Sequence, residues 1–381
     1  MAPRILATDV QERSALAAVR CLSASGLAVT AVGTARDAPG LWSLSPDARR
    51  LAPDPRRDAE GFIRRLEQIL SRTRHDLLLP GTDASLLTVS LHRDRLAPYV
   101  NLGLPSQEIV ERSLDRARLS LEAARAGLAP PEEQTCGTAD EAIRAAGKFG
   151  YPVLVKPLHT VLVSSGAARR RSAVLAHDGE AVEAAAREFE SCIVQRRVGG
   201  SMVSFAGVVT QDGLVAFVVA RYERTWPPEG GNVSFARTIS SPPGLDQSVR
   251  SLVDGLGWRG MFELELIERP NRAVAAIDFN PRPYGSLSLA VAAGVPLPTL
   301  WAYWLLGRPV APARARIGVP YRWEDAELRH LLRQARHGHV GAALSIARPR
   351  RDVAHAYLRA RDPAPLLARA LQLAGRVRRY H

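Results

Sequence analysis

Short apolar runs alternate with helical patterns through the first third of the chain, and this alternation narrows the fold most. Ile5-Leu6-Ala7-Thr8 reads as a strand, and residues 14–25 place apolar side chains at helical spacing before Gly26 stops the helix. Leu27 to Gly33 is a second apolar run and residues 62–70 a second helix. Asp76-Leu77-Leu78-Leu79-Pro80 is a third strand, running into Gly81-Thr82-Asp83. Strands interleaved with helices predict a parallel sheet with covering helices, because parallel neighbours need crossover connections. No G-x-G-x-x-G follows the first strand, which argues against a dinucleotide-binding dehydrogenase. Gly147-Lys148 precedes Phe149, so the G-x-x-x-x-G-K-[ST] phosphate loop is also missing.

At 381 residues the chain calls for two or three subdomains. Beyond the first third, helices are expected at 114–126 and 140–149, ended by Gly127 and Gly150. Val153-Leu154-Val155-Lys156 follows as a strand, then a hairpin over 158–176 turning at Ser164-Ser165-Gly166, a helix over 178–190 and a strand over 191–195. Strands near 203–209 and 214–220 turn at Gln211-Asp212-Gly213. A Pro/Gly-rich loop spans 226–231, and a further hairpin pairs 260–267 with 273–279. A helix over 286–293 and a basic, mainly helical tail complete the pattern.

The net charge of +13 is concentrated in that tail: residues 312–381 carry fifteen arginines against five acids. The only lysines are Lys148 and Lys156, so a lysine inside a motif is hard to dismiss as surface charge. The three cysteines, Cys21, Cys136 and Cys192, have no metal-binding spacing and read as reduced, buried thiols. With no basic-then-apolar leader and no apolar run of about 18 residues, a cytoplasmic protein is expected.

The chemistry concentrates in Ile277-Asp278-Phe279-Asn280-Pro281-Arg282. Side chains alternate along a strand, so Asp278 and Asn280 share one face while Ile277 and Phe279 turn into apolar packing. In the partner strand Glu263 and Glu265 share a face opposite Phe262, Leu264 and Leu266. Carboxylates with an amide oxygen form a hard, oxygen-only ligand set suited to Mg2+ that also holds phosphates. Arg282 stands next to it as a clamp for phosphate or carboxylate. Acids on a hairpin are commonly just a solvated face. Aspartate and asparagine are poor strand formers, however, and packing gives no reason for them here. Lys156, at the end of a buried-looking strand, is either snorkelling to water or a fixed positive charge.

Taken in order over about residues 4–310, these pieces resemble the ATP-grasp superfamily, and more narrowly its predicted ATP-dependent carboligases. The resemblance implies an N-terminal Rossmann-like parallel-sheet domain over 1–110 and an ATP-grasp domain over 111–310. The latter has a lid part (111–192) and a metal-binding part (193–310), and a basic helical extension follows over 311–381. It assigns phosphate contacts to Lys156, to Arg116 of Asp115-Arg116, and to a thin lid at Ser164, Ser165 and Gly166 followed by arginines at 169–171. The adenine hinge falls on Gln195, Arg196, Arg197 and Val198, with Arg197 in place of the usual aromatic. The metal ligands fall on Glu265, Asp278 and Asn280, with Asp278 shorter than the usual glutamate. Arg282 would stabilise the transferring phosphoryl group, and Arg221 would meet the substrate carboxylate. The narrower likeness rests on residues 221–231, Gly285-Ser286, Gly294-Val295-Pro296 and Asp362-Pro363-Ala364-Pro365.

The implied activity is an ATP- and Mg2+-dependent ligase (Mn2+ an alternative ion) joining a small-molecule carboxylate to an amine or thiol through an acyl phosphate. A homodimer is compatible with such an enzyme. Two other readings stay open. Arg116, Arg197, Asp278 and the thin lid also fit an ATP-binding sensor or scaffold with weakened catalysis. The apolar stripe Leu366, Leu367, Ala370, Leu371 and Ala374, set among arginines, suits an anionic membrane surface; packing of that stripe on the body is the plainer expectation. A nucleic-acid partner is not expected.

Overall fold

A computed structural model describes residues 2–158, 161–164, 167–170, 173–228, 230–339, 341, 346 and 352–377. The expected parallel sheet forms from strands Arg4–Ala7, Ala28–Gly33, Ala48–Leu51 and Leu77–Leu79. Its spatial order is third, second, first, fourth. The connection therefore reverses direction between the first and fourth strands, and a crevice opens beyond their carboxyl ends. Asp9 stands at that point with φ +59, in the left-handed region. Its carboxylate accepts hydrogen bonds from Thr8, the Gly81 amide, Thr82 and Ser85. A side chain at Gly81 would meet the Thr8 carbonyl at 2.6 Å, so glycine lets the two strand ends approach. The Gly81-Thr82-Asp83 turn then caps the helix Asp83–Leu91 through a Thr82–Ser85 capping box.

Among the described residues a seven-stranded sheet carries the acid–amide hairpin. Its first four strands in space are Val274–Asn280, Gly260–Glu268, Ser201–Thr210 and Gly213–Trp226, all antiparallel. One face buries Phe205, Phe262, Leu264, Leu266 and Phe279 against Val249, Leu252 and Leu256 of the helix Leu245–Leu256. The same face packs on Leu119 and Ala123 of the helix Arg116–Arg125. The other face begins with Met261, Ala206 and Val208, which share a core with Ile5, Val29, Leu297 and Trp301. The N-terminal sheet is thereby fused to the large one through common apolar packing rather than a flexible linker.

A smaller sheet has the order Glu133–Cys136, Cys192–Arg196, Val153–Pro157, Val174–Ala176. Helices Ala139–Phe149 and Gly179–Phe189 cover one of its faces, burying Val153, Val155, Val194, Cys136 and Cys192. Cys136 and Cys192 sit opposite each other in register, although 56 residues separate them in sequence. All three cysteines are free and buried.

Three expectations change. The helix expected over 114–126 begins at Arg116, because Asp115 is extended and its carboxylate caps the Arg118 amide. Ile277 does not join Phe279 in the core: the ladder passes from Glu265↔Asp278 to Leu266↔Ala276, leaving Ile277 as a bulge and Ala276 in the packed position. The C-terminal helix Ala364–Val377 docks, but by a different face. Ala368 is buried and Arg369 pairs with buried Asp325 at 2.6 Å, whereas Leu367 and Leu371 of the expected stripe are exposed. No helix among the described residues is long and apolar enough to cross a membrane.

This helix is anchored ahead of its first turn. Asp362 is 3 % exposed and accepts from Arg20 Nε at 2.9 Å, Ser43 Oγ at 2.6 Å and the Leu44 amide at 3.0 Å. Arg20 is itself 8 % exposed, so deleting the carboxylate strands a buried guanidinium. Asp362→Ala is expected to destabilise the chain by about 3–5 kcal/mol. Limited proteolysis should then release the segment after residue 352 before the rest unfolds, and a melting temperature equal to the parent would contradict this.

Candidate active site

On the large sheet, the face that begins with apolar Met261 continues into acid. Glu263 lies opposite Ala206 and Asn280, and Glu265 lies opposite Ser204 and Asp278. Strand alternation and the hairpin register thus bring the expected Glu265, Asp278 and Asn280 side by side. The Ile277 bulge serves the same place: its carbonyl accepts from Lys156 Nζ at 3.2 Å. Lys156 comes from the small sheet, on the side away from the helices, with Leu154, Ile193 and Gln195 paired beside it. Two sheets therefore face each other, one offering carboxylates and the other a lysine.

Arg116 enters from the start of its helix. Its backbone amide and Nη1 reach the Leu158 and Pro157 carbonyls, and Nη2 stands 3.7 Å from Asp278. Its Nε is buried with no partner among the described residues. Arg282 makes a bidentate pair with Asp83 at 2.6 and 2.8 Å, and its Nη2 also donates to Asn280 Oδ1 at 2.8 Å. Asp83 is the first residue of the helix at the N-terminal crevice, so the parallel sheet reaches into this cluster directly. The amide of Asn280 donates to Glu263 at 3.2 Å, and the Tyr222 hydroxyl donates to both Glu263 and Glu265.

Electrostatics follow from burial. Desolvation, then repulsion from Glu265, pushes the Glu263 carboxyl well above its ordinary range. Glu265 is raised for the same first reason, with Asp278 as its repelling neighbour. Burial, with Arg116 nearby, lowers Lys156 to about 8, against the opposing pull of Asp278, Glu133 and Glu265. Crowded, buried carboxyls thus stand beside a buried guanidinium nitrogen that has no partner among the described residues. Among the described residues no three His, Cys, Asp or Glu side chains form a metal cage. The donor set of Glu265, Asp278 and the Asn280 oxygen instead fits an ion that takes its remaining ligands from phosphate and water, as Mg2+ does. The unpartnered Arg116 Nε likewise fits a phosphate oxygen.

The other expected residues are distributed unevenly. Gln195 is buried and donates to Glu133 at 2.6 Å, on the Lys156 face of the small sheet. Arg196 pairs with Glu132, Arg197 is exposed and Val198 is half-buried. Ser164 ends the strand Val161–Ser164, while Ser165, Gly166 and Arg171 lie outside the described residues. Arg221 is not part of the cluster. Tyr222 turns toward the carboxylates, so its neighbour Arg221 faces the opposite side of the sheet, where it pairs with Glu268. The sequence pattern assigns no specific role to Asp83, Glu263 or Tyr222. Only the Thr82–Ser85 capping pattern and the Glu263/Glu265 alternation hint at the first two.

No family model matches the chain. The carbamoyl phosphate synthase large chain of Pasteurella multocida is 28 % identical over 108 residues, 27 % of this chain and 10 % of that protein. The corresponding protein of Thermus thermophilus is 25 % identical over 284 residues, 69 % of this chain and 26 % of that one. The chain thus spans only a fraction of the length of these relatives. Among solved structures, N5-carboxyaminoimidazole synthetase from Staphylococcus aureus superposes with a TM-score of 0.63 at 13 % identity, covering 82 % of this chain and 80 % of that one. The fold is the ATP-grasp fold. L-amino acid ligase from Bacillus licheniformis shares this ATP-grasp fold at TM-score 0.62 and 17 % identity, over 80 % of this chain and 74 % of that one. So does the biotin carboxylase domain of Hydrogenobacter thermophilus 2-oxoglutarate carboxylase, in complex with MgADP and bicarbonate, at TM-score 0.64 and 14 % identity over 84 % and 73 %.

A carboxyl that holds its proton more tightly when folded contributes stability below its unfolded pKa and loses it as pH rises. Glu263 and Glu265 both shift upward, so without a cation the chain should lose stability from about pH 4.5 through neutrality. Glu263→Gln should raise the melting temperature at pH 8 and change it little at pH 4.5. An unchanged pH–stability curve in that variant would argue against the buried charge.

Proposed function

We propose that the chain is an ATP-dependent ligase that joins a carboxylate to an amine, or less often a thiol, through an acyl phosphate. The observation that carries this is the meeting of Lys156, on one sheet, with Glu265, Asp278 and Asn280 on another, closed at one end by Arg282. ATP would lie between the two sheets, its phosphates toward Lys156 and Arg116 and its adenine toward residues 195–198. Glu265, Asp278 and Asn280 would hold Mg2+, which supplies charge neutralisation at the phosphate oxygens. The MgADP complex of the Hydrogenobacter thermophilus domain supports that choice of ion and nucleotide.

The reaction then balances in two steps. A substrate carboxylate oxygen forms a bond to the γ-phosphorus as the bond to ADP breaks. The amine nitrogen next attacks the acyl carbon, phosphate leaves and the nitrogen gives up a proton. Arg282 is set to stabilise the transferring phosphoryl group, and its hold on Asp83 fixes the guanidinium before substrate arrives. The chain's own contribution is position and charge, and no side-chain nucleophile is required. The division into residues 1–110, 111–310 and 311–381 serves this reading, with the first segment completing the site through Asp83.

ADP release from Mg·ATP, screened against paired pools of carboxylates and amines, tests the proposal. Glu265→Gln combined with Asn280→Ala should abolish turnover while circular dichroism stays that of the parent. Undiminished ADP release in the double variant would overturn the assignment. Lys156→Met should raise the KM for ATP about tenfold or more, since it removes a charge-assisted contact to phosphate.

A further inference from the structure

One face of the C-terminal helix Ala364–Val377 is left bare, and the residues that fix its rotation explain which. Pro365 and Ala368 are buried, Arg369 reaches Asp325 at 2.6 Å, and Gln372 Nε2 donates to the Asp37 carbonyl at 3.0 Å. At 3.6 residues per turn these four share one side of the helix. Leu367, Ala370, Leu371 and Ala374 fall on the opposite side, and through Ala374 they are the exposed residues of the helix, all of them apolar. Leu367 is 56 % and Leu371 52 % exposed. A surface helix ordinarily turns polar residues outward, so an apolar outward face calls for something to cover it.

The bare face continues onto the segment beside the helix. The Leu44 amide bonds Asp362 just ahead of the helix and Asp37 meets Gln372 further along, so residues 37–44 flank it. Leu44 is 72 % exposed and Trp42 is exposed with it. Arginines border the patch. Arg49 donates to the Leu41 and Ser43 carbonyls, which sets its guanidinium beside Trp42 and Leu44. Arg36, Arg359 and Arg361 are exposed as well, against the exposed acids Asp37 and Asp47. The acids of the C-terminal segment do little to offset them. Glu324 accepts from the Tyr357 and Leu358 amides, Asp325 from Arg369, Glu327 from Arg224 and Asp362 from Arg20, which leaves Asp352 exposed. The sequence after Ala374 adds Arg376, Arg378 and Arg379 and no acid.

We propose that this face docks on an anionic phospholipid surface. Leu367, Leu371, Leu44 and Trp42 would enter the boundary between headgroups and acyl chains, where indole rings are favoured, and the bordering arginines would meet the headgroup anions. Charge decides among the occupants. A second copy of the chain would set arginines against arginines across a two-fold axis. A nucleic acid would satisfy the arginines but offer phosphates rather than an apolar phase to the leucines. An anionic bilayer supplies both the charge and the apolar phase. Such docking is independent of the ligase chemistry.

Co-sedimentation of the full chain with phosphatidylcholine vesicles, with and without about one third phosphatidylserine, tests it. The anionic vesicles should bind about tenfold or more tighter than the neutral ones, and raising salt from about 0.1 to about 0.5 M should release the chain. Leu367→Gln combined with Leu371→Gln should lower partitioning about tenfold or more. Arg359→Gln combined with Arg361→Gln should lower it about tenfold on anionic vesicles and leave the neutral ones unchanged. All four side chains are exposed, so melting temperatures equal to the parent should separate lost docking from lost folding. No partitioning onto the anionic vesicles, or partitioning indifferent to the leucine pair, overturns the proposal. A dimer in sedimentation equilibrium that the leucine pair dissolves, or duplex DNA binding that it abolishes, gives the face to another occupant and likewise overturns it.

Discussion

Three buried or half-buried carboxyl groups, Glu263, Glu265 and Asp278, share one face of the large sheet, and most of the architecture is arranged around them. Like charges in a low-dielectric setting repel and lose hydration, so they need compensation from outside their own hairpin. It comes from three directions. Lys156 belongs to the small sheet, Arg116 to a helix start, and Arg282 follows the hairpin. Tyr222, from a more distant strand of the same sheet, donates to two of the acids. The compensation is partial, since Glu263 and Glu265 remain shifted upward, and that shortfall is what a cation would remove.

Arg282 carries the connection to the rest of the molecule. Its pair with Asp83 ties the hairpin to the N-terminal sheet at the end where the parallel strands open. Asp83 is held in turn by the helix start that Thr82 and Ser85 cap, and those two residues bond to Asp9. A chain of hydrogen bonds therefore runs from the left-handed turn at Asp9 to Asn280. The C-terminal segment closes the N-terminal domain from the far side through Asp362 and Arg20. Gly285 belongs to the same design: a side chain there would meet the Arg13 guanidinium at 2.4 Å, and its carbonyl accepts from Arg13 and Tyr321.

Lys156 meets the acid-bearing hairpin across the gap between the small sheet and the large one. Arg282 borders this cluster and the N-terminal crevice alike. The N-terminal sheet and the large sheet share one core, in which Met261 and Ala206 pack with Ile5 and Val29.

Much of the fold is legible in the residues themselves. Apolar runs alternating with helical spacing point to the parallel sheet, and Asp278 with Asn280 on alternate positions point to the acidic face, because local periodicity decides which way a side chain points. Periodicity does not report insertions in a ladder, so it puts Ile277 in the core where the bulge gives that position to Ala276. Nor does it say which face of a strand meets which partner. Arg221 is a reasonable ligand by type, yet one step of alternation from Tyr222 sends it to Glu268. Asp83 reaches Arg282 across 199 residues, and Cys136 meets Cys192 across 56. The sequence by itself determined the element types, the Lys156 strand and the acid–amide hairpin, all matters of local pattern. Only the tertiary structure decided what faced them, because the Asp83–Arg282 pair, the meeting of Lys156 with the acid hairpin and the docked C-terminal helix depend on distant segments packing together.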